Sequence, residues 1–176
     1  KLTLTANKIQ AVNTLIPEEK NQWIGANTDV EGFLMPLKNQ NLIDKNVVVI
    51  GSGGSARAVV MGLNNLNVKK ITIIGRNETS LDIFVKNMSK LSTEKKISIE
   101  GINSKKLNVS QYIEEASLIV NTTPIGMNKN TTEEERIPLG HKIWENLSNT
   151  TILYDLIYTP RPTNWLKLGQ QKNCFT

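Results

Sequence analysis

The sequence predicts an α/β fold in which a doubly wound parallel sheet carries helices on both faces. Short apolar runs rich in β-branched residues alternate along the chain with segments whose apolar residues recur at helical spacing. This alternation is typical of βαβ units, which build parallel sheets. A glycine-rich turn between the first long apolar strand and the helix after it supports the same architecture.

The individual elements follow from these patterns. The apolar runs predict strands at 47–50, 71–74, 97–99, 117–120 and 152–158. Helical spacing predicts helices over 58–63 and 81–91 and a further helix that begins at Trp165. Upstream, residues 23–26 predict a short strand, and 27–37 predict a helix that Pro36 kinks or ends.

The turn after the strand at 47–50 carries the pattern Gly51-x-Gly53-x-x-Ala56, the dinucleotide fingerprint of Rossmann-like folds in its Gly/Ala form. Gly51 allows a tight turn, Gly53 lets backbone N–H groups approach a pyrophosphate, and Ala56 lets the helix pack closely on the strand. The turn residues that we expect to bind the cofactor are Gly51, Ser52, Gly53, Gly54 and Ser55. A glycine-rich turn without a ligand is the alternative at this point.

The second strand ends in Gly75, Arg76 and Asn77, where this fold selects its cofactor. An acid here binds the ribose hydroxyl of NAD, whereas an arginine accommodates the 2′-phosphate of NADP. Arg76 therefore predicts NADP and argues against a methyltransferase that binds S-adenosylmethionine. Glu78 keeps NAD open as a minority alternative, and an ordinary surface charge is the other interpretation of Arg76.

The polar segments of the predicted sheet all follow the carboxyl ends of strands. They lie at 51–55, 75–77, 121–127 and 155–158. Because ligands of open α/β sheets bind outside the carboxyl ends of the strands, these segments predict one site on one edge of the sheet.

The composition argues against nucleic acid, metal ions and membranes as binding partners of this protein. The net charge of +5 comes from dispersed lysines, without the basic run and interleaved aromatics typical of nucleic-acid binding. One cysteine and one histidine exclude a disulfide framework and argue against a metal site. No apolar run approaches the ~18 residues of a membrane span, and no signal peptide is present, so we expect a cytoplasmic protein that binds a small molecule.

Several separate motifs then agree with one family. They are Ala11-Val12-Asn13-Thr14-Leu15, Asn27-Thr28-Asp29 with Gly32, the glycine turn, Gly75-Arg76-Asn77, Asn121-Thr122-Thr123-Pro124-Ile125-Gly126-Met127 and Tyr154-Asp155-Leu156-Ile157-Tyr158. In this order they resemble the shikimate dehydrogenase family, which interconverts 3-dehydroshikimate and shikimate with a nicotinamide cofactor. The resemblance covers nearly the whole chain.

The resemblance implies roles for further residues. Asn13 and Asp29 would contact substrate hydroxyls, with Asp29 also catalytic, and Tyr158 would contact the substrate's carboxylate end. Leu156 would lie beside the nicotinamide through its backbone, and the loop after the strand at 117–120 would bind cofactor through Thr122, Thr123 and Pro124. From position alone, a helix cap is the other interpretation of Asp29.

The family's pattern also sets expectations for the domains. Residues 1–26 are expected to be the end of a substrate-binding domain with its linker, and 27–176 an NAD(P)-binding domain cut before its last helix. The family's catalytic lysine would lie upstream, so we expect this chain alone to bind cofactor without turnover. Gly75 and Ser80 depart from the pattern of many NADP-dependent members, which have asparagine and a second arginine there.

Other functions stay open on the sequence. A quinate/shikimate dehydrogenase that uses NAD and a non-catalytic NADP-binding module both fit the cofactor motifs. We expect a monomer or a homodimer.

Overall fold

The computed structural model describes residues 1–92, 97–105, 108–128, 130–145 and 147–176. The strands are β1 (Thr14–Pro17), β2 (Trp23–Ala26), β3 (Asn46–Ile50), β4 (Lys70–Gly75), β5 (Ser98–Asn103), β6 (Leu118–Asn121) and β7 (Ile152–Asp155). The α-helices are α1 (Leu4–Ile9), α2 (Asp29–Leu34), α3 (Gly54–Asn65), α4 (Glu78–Ser92), α5 (Ser110–Glu114) and α6 (Asn164–Gln171).

The main sheet has five parallel strands in the order β5-β4-β3-β6-β7. The strand order reverses at β3, which pairs with β4 on one side and with β6 on the other. A crevice therefore opens beyond the carboxyl ends of β3 and β6, the place where such sheets bind ligands. This sheet confirms the predicted doubly wound α/β fold.

Both faces of the sheet are covered because the strands are apolar on both sides. Val47 and Val49 point to the face that carries α2, α3 and α4, while Val48 and Ile50 point to the face that carries α5 and α6. On the second face Trp144 and α6 pack together, with the rings of Trp144 and Trp165 5.2 Å apart. The helices on both faces agree with the prediction.

A separate two-stranded antiparallel hairpin, β1 with β2, precedes the sheet. Its register pairs Thr14 with Ala26, and the N–H of Asn13 donates to the carbonyl of Ala26 at 3.1 Å. The hairpin thus places Asn13 beside the start of α2. Helix α2 ends at Leu34, and a 3₁₀ turn over Met35–Leu37 follows, as expected from Pro36.

Two strand lengths differ from the prediction. The predicted strand at 152–158 ends at Asp155, because the Asp155 carboxylate accepts a hydrogen bond from the N–H of Ile157 and turns the chain. The predicted strand at 97–99 extends through Asn103, because β5 pairs with β4 along its whole length. Within the described ranges, no helix has the length and apolar character needed to cross a membrane.

Candidate functional site

The glycine turn between β3 and α3 is shaped by close packing. Gly51 has φ +108°, and a Cβ at this position would lie 2.6 Å from Thr122 Oγ1 and 3.0 Å from Thr123 Cγ2. A side chain is therefore excluded at Gly51 by both the backbone and the neighbouring loop. The glycine pattern of the sequence predicts that this position needs a glycine, whereas the contact with Thr122 is seen only in the structure.

Gly53 serves a different purpose in the same turn. It is the N-cap of α3 and contributes no side-chain hydrogen bond, and a Cβ there would meet nothing within 4 Å. The start of this 12-residue helix therefore has no side-chain cap and has open space beside Gly53. Such an end attracts an anion through its unpaired donors and its partial positive charge.

A cavity of about 630 Å³ opens at this edge of the sheet. Many of the predicted cofactor residues line it, namely Gly51, Ser52, Gly53, Gly75, Arg76, Asn77, Thr122, Thr123 and Pro124. Gly54 and Ser55 are not among its lining residues. Three of the four segments expected to share one site therefore meet at this cavity, whereas residues 155–158 do not line it.

Other lining residues were not predicted. They are Ile50, Ile74, Ser80, Ser104, Asn108, Val109, Leu139 and Ile143, whereas Ile125, which also lines the cavity, lies in the predicted segment 121–127. Ser104 follows β5, so the rule on carboxyl ends of strands could have found it, whereas Leu139 and Ile143 come from irregular segments that carry no such signal. The apolar residues of this set, such as Ile74 and Val109, give the cavity a wall suited to a flat ring.

Arg76 is one of the residues that line this cavity. It follows β4, is exposed, and is the one cationic side chain among the described residues that line the cavity. The neighbouring Asn77 Oδ1 accepts a hydrogen bond from the N–H of Ser80 at 2.9 Å, which caps the start of α4. The Oδ1 atom of Asn77 is therefore used at the start of α4, while the Arg76 side chain is exposed at the cavity.

The loop after β6 is fixed by its own side chains. Thr122 Oγ1 donates to the carbonyl of Ile50 at 2.8 Å, so this hydroxyl ties β6 to β3. Asn121 is fully buried and its Oδ1 accepts hydrogen bonds from Thr123 N at 3.0 Å and from Thr123 Oγ1 at 2.7 Å. The loop thus enters the cavity in a defined conformation.

Asp155 closes the other side of this loop. Its carboxylate accepts hydrogen bonds from Asn121 Nδ2 at 3.0 Å and from Thr163 Oγ1 at 2.7 Å. Burial raises the pKa of Asp155 above that of an ordinary aspartate, and the hydrogen bonds from Thr163, Ile157 and Asn121 oppose this rise.

The predicted substrate residues lie apart from the cavity. Asn13 Nδ2 donates to Asp29 Oδ1 at 2.6 Å and to Thr28 Oγ1 at 3.1 Å, and both Asn13 and Asp29 are exposed. Thr28 is the N-cap of α2 and Asp29 the first helical residue, so the side chain of Asp29 is not the cap. The structure therefore brings Asn13 and Asp29 together, with the Asp29 carboxylate turned toward Asn13.

The remaining predicted residues line a second cavity. It has a volume of about 640 Å³, runs beside β7 and includes Leu156 and Tyr158. Tyr158 is 81% exposed. Leu156 is held near β6, because its N–H donates to the carbonyl of Asn121 at 3.1 Å.

Comparison with known proteins gives a consistent result. A model of the Shikimate / quinate 5-dehydrogenase family matches residues 34–136, more than half of the chain. A protein of Prochlorococcus marinus strain MIT 9515 named "Shikimate dehydrogenase (NADP(+))" is 47% identical over 176 residues, which are 100% of this chain and 60% of that protein. A protein of the same name from strain MIT 9301 is 46% identical over 171 residues, or 97% of this chain and 58% of that protein.

Solved structures agree with the sequence relatives. A crystal structure of a shikimate dehydrogenase in complex with NADP⁺ matches 99% of this chain and 57% of its own, with a TM-score of 0.78 and 29% identity. The chain thus spans about 60% of the length of the curated relatives that it matches. From the match over residues 34–136, the chain belongs to the shikimate/quinate 5-dehydrogenase family.

Proposed function

We propose that the protein is an NADP-dependent shikimate dehydrogenase, which interconverts shikimate and 3-dehydroshikimate, and that this chain supplies its cofactor-binding part. The observation that carries the proposal is the cavity in which the glycine turn, Arg76 and the loop after β6 meet. The names of relatives that are 43–47% identical over the full length of this chain support the same reaction and cofactor.

The residues of the cavity fit a dinucleotide. The open backbone at Gly53 leaves room for a pyrophosphate at the start of α3, since a Cβ there would meet nothing within 4 Å. Arg76 is placed to pair with a 2′-phosphate through its guanidinium, and Ile74 and Val109 are placed to contact the adenine. When bound, the nicotinamide of such a cofactor exchanges a hydride with a carbon of the substrate.

Asn13 and Asp29 act on the substrate side in this proposal. The hydrogen bond from Asn13 Nδ2 holds one oxygen of the Asp29 carboxylate, and the second oxygen is left to accept a hydrogen bond from a substrate hydroxyl. Asp29 thereby orients the hydroxyl from which the proton leaves. Tyr158, exposed beyond β7, is proposed to contact the substrate's carboxylate end, and the backbone of Leu156 to contact the nicotinamide.

The proposed division of the chain follows the same assignment. Residues 1–26, which include the β1–β2 hairpin, belong to the substrate-binding part, and 27–176 belong to the cofactor-binding part. Asp29 lies just after the boundary, where both parts reach the reacting hydroxyl.

The test uses the full-length protein with both cofactors and with shikimate and quinate as substrates. We expect shikimate-dependent reduction of NADP⁺. In Arg76→Ala, the affinity for NADP⁺ should fall by about 10- to 100-fold while that for NAD⁺ changes little, because charge-assisted hydrogen bonds to a phosphate contribute about 1.5–3 kcal/mol.

Lys69→Ala is the matched control. It removes one positive charge at the opposite end of the same strand, and Lys69 is exposed outside the cavity. Equal losses for NADP⁺ and NAD⁺ in Arg76→Ala would contradict the assignment of Arg76. Faster turnover of quinate with NAD⁺ would replace the proposed substrate and cofactor, and no turnover of either alcohol would leave a cofactor-binding module.

A further inference from the structure

Asp155 receives hydrogen bonds from three separate parts of the chain. Asn121 Nδ2, at the end of β6, donates to Asp155 Oδ1 at 3.0 Å, and the N–H of Ile157, in the loop after β7, donates to the same oxygen at 3.1 Å. Thr163 Oγ1 donates to Asp155 Oδ2 at 2.7 Å. Both carboxylate oxygens are therefore occupied by donors of the protein.

Asn121 extends this network into the cofactor cavity. Its Nδ2 donates to Asp155 and to the carbonyl of Ile125 at 3.3 Å, while its Oδ1 accepts from the N–H and the hydroxyl of Thr123. A primary amide has two donor hydrogens and two acceptor lone pairs, so the side chain of Asn121 is fully used. Because Asn121 is also fully buried, any change in its orientation would break several hydrogen bonds at once.

Thr163 links Asp155 to the start of α6. Its hydroxyl donates to Asp155 and also accepts a hydrogen bond from the N–H of Leu166 at 3.3 Å, which caps α6. Thr163 is buried. The carboxylate of Asp155 thus joins the loop after β6, the loop after β7 and the start of α6.

We infer that Asp155 is a positioning residue that holds the loops after β6 and β7 in the arrangement that receives the nicotinamide half of the cofactor. The inference rests on the proposed function for the placement of the nicotinamide beside Leu156 and for cofactor binding at the loop after β6. Asp155 acts through these neighbours, since its own oxygens are committed to Asn121, Ile157 and Thr163.

Two substitutions separate positioning from proton transfer. In Asp155→Asn, the remaining oxygen can still accept from Asn121 and Ile157, and the new NH₂ group can donate to the Thr163 hydroxyl. In Asp155→Ala, all of these hydrogen bonds are lost. A positioning residue is therefore rescued by asparagine, whereas a group that transfers a proton is not.

Thr151→Val is the matched control. Thr151 is fully buried, and its hydroxyl donates to the carbonyl of Ala116 at 2.9 Å, joining the segments that precede β7 and β6. It thus ties the same two strands at their amino ends, about 13 Å along β7 from Asp155. Valine keeps the shape and removes this one hydrogen bond, so the control tests the loss of a buried link between the same two strands away from the cavity.

The experiment measures binding of two ligands and turnover in the full-length protein. NADPH contacts both halves of the site, whereas adenosine 2′,5′-bisphosphate contacts only the half around Arg76. In Asp155→Ala, we expect the affinity for NADPH to fall about tenfold and the affinity for adenosine 2′,5′-bisphosphate to stay within about threefold. We expect kcat to fall about 10- to 100-fold, the scale of a displacement of ~1 Å at a reacting group.

Asp155→Asn should keep kcat and NADPH affinity within about threefold of the unmodified protein, and Thr151→Val should do the same for both ligands. Exchange of the Ile157 and Thr123 amide hydrogens should become faster in Asp155→Ala. The Ile157 N–H loses its acceptor, the Asp155 carboxylate. The Thr123 N–H keeps its acceptor, Asn121 Oδ1, but Asn121 is no longer oriented by Asp155. These hydrogens should stay protected in Thr151→Val.

Several results would overturn the inference. They are equal losses of both ligands in Asp155→Ala, unchanged NADPH binding and amide exchange in that variant, or an asparagine variant as impaired as the alanine variant. Failure of the proposed function is distinguishable, because it appears as absent turnover in the unmodified protein. The NADPH, bisphosphate and amide-exchange comparisons decide the inference in that case as well.

Discussion

Alanine substitutions at Gly51 and Gly53 should separate folding from cofactor binding within one turn. An alanine Cβ at position 51 would lie 2.6 Å from Thr122 Oγ1 and would force a side chain onto a backbone with φ +108°. At position 53 the added Cβ would meet nothing within 4 Å. The same chemical change therefore has different consequences two residues apart.

The magnitude for Gly51→Ala follows from these contacts. A residue with a Cβ in a left-handed conformation costs about 1–2 kcal/mol. Thr122 must also move, which disrupts the 2.8 Å hydrogen bond from its hydroxyl to the carbonyl of Ile50, a contribution of about 1 kcal/mol. The free energy of unfolding should therefore fall by about 2–3 kcal/mol, which lowers the Tm of a full-length protein of the relatives' size by about 3–5 °C.

Thermal denaturation and NADPH titration of the full-length variants measure the two effects. Gly51→Ala should lower both Tm and NADPH affinity, because it distorts the turn itself. Gly53→Ala should keep the free energy of unfolding within about 0.5 kcal/mol, yet weaken NADPH binding at least about tenfold, because its Cβ occupies the space through which a pyrophosphate approaches the backbone.

Two results would refute this reasoning. An unchanged Tm in Gly51→Ala would mean that the contact between the turn and Thr122 contributes nothing to stability. Normal NADPH affinity in Gly53→Ala would mean that the pyrophosphate does not approach the turn at this residue.

Three further predictions concern single substitutions in the full-length protein. Asp29→Asn should lower kcat for shikimate oxidation by roughly 10²- to 10⁴-fold, with Tm and NADPH affinity nearly unchanged, because asparagine keeps an acceptor but cannot carry the negative charge that a lysine–aspartate pair needs; a normal kcat would contradict this. Burial raises the pKa of Asp155, so its contribution to stability is greatest below the pKa of an unfolded aspartate and is lost as pH rises through the folded pKa. The Tm of Asp155→Asn should accordingly rise relative to the unmodified protein as the pH is raised above the pKa of an unfolded aspartate, about 4, and a constant difference would argue against the raised pKa. Gly62→Ala should reduce the free energy of unfolding by about 1–2 kcal/mol, because the Cβ would lie 2.7 Å from Cδ1 of the buried Phe33; Gly32→Ala, with open space around the Cβ, should instead increase it by about 0.5–1 kcal/mol.

The order of elements could be predicted from the sequence because it depends on local patterns. The runs at 47–50 and 71–74 are apolar on both faces, which identifies buried parallel strands, and the structure has β3 and β4 there. The position of the cavity was predictable too, since the carboxyl ends of parallel strands share one edge.

Strand lengths depended on partners distant in the chain. The segment Glu100–Gly101 carries no strand pattern, but Gly101 pairs with Ile73 and lets Leu81 approach, with Cγ 2.8 Å from where a Cβ would stand. Conversely, β7 ends early because the side chain of Asp155 accepts the hydrogen bond of Ile157 N–H. The local pattern of apolar residues therefore predicts neither the pairing of β5 with β4 nor the turn after Asp155.

The sequence by itself determined the parallel sheet, the glycine turn and the presence of Arg76 after the second strand of that sheet, because each depends on residues within a few positions of one another. Only the tertiary structure decided which polar side chains are free to meet a ligand. Thr122 uses its hydroxyl on the carbonyl of Ile50, 72 residues earlier in the chain. The pairing of Asn13 with Asp29 likewise required the β1–β2 hairpin, because hydrogen bonds between residues far apart in the chain depend on how the elements pack.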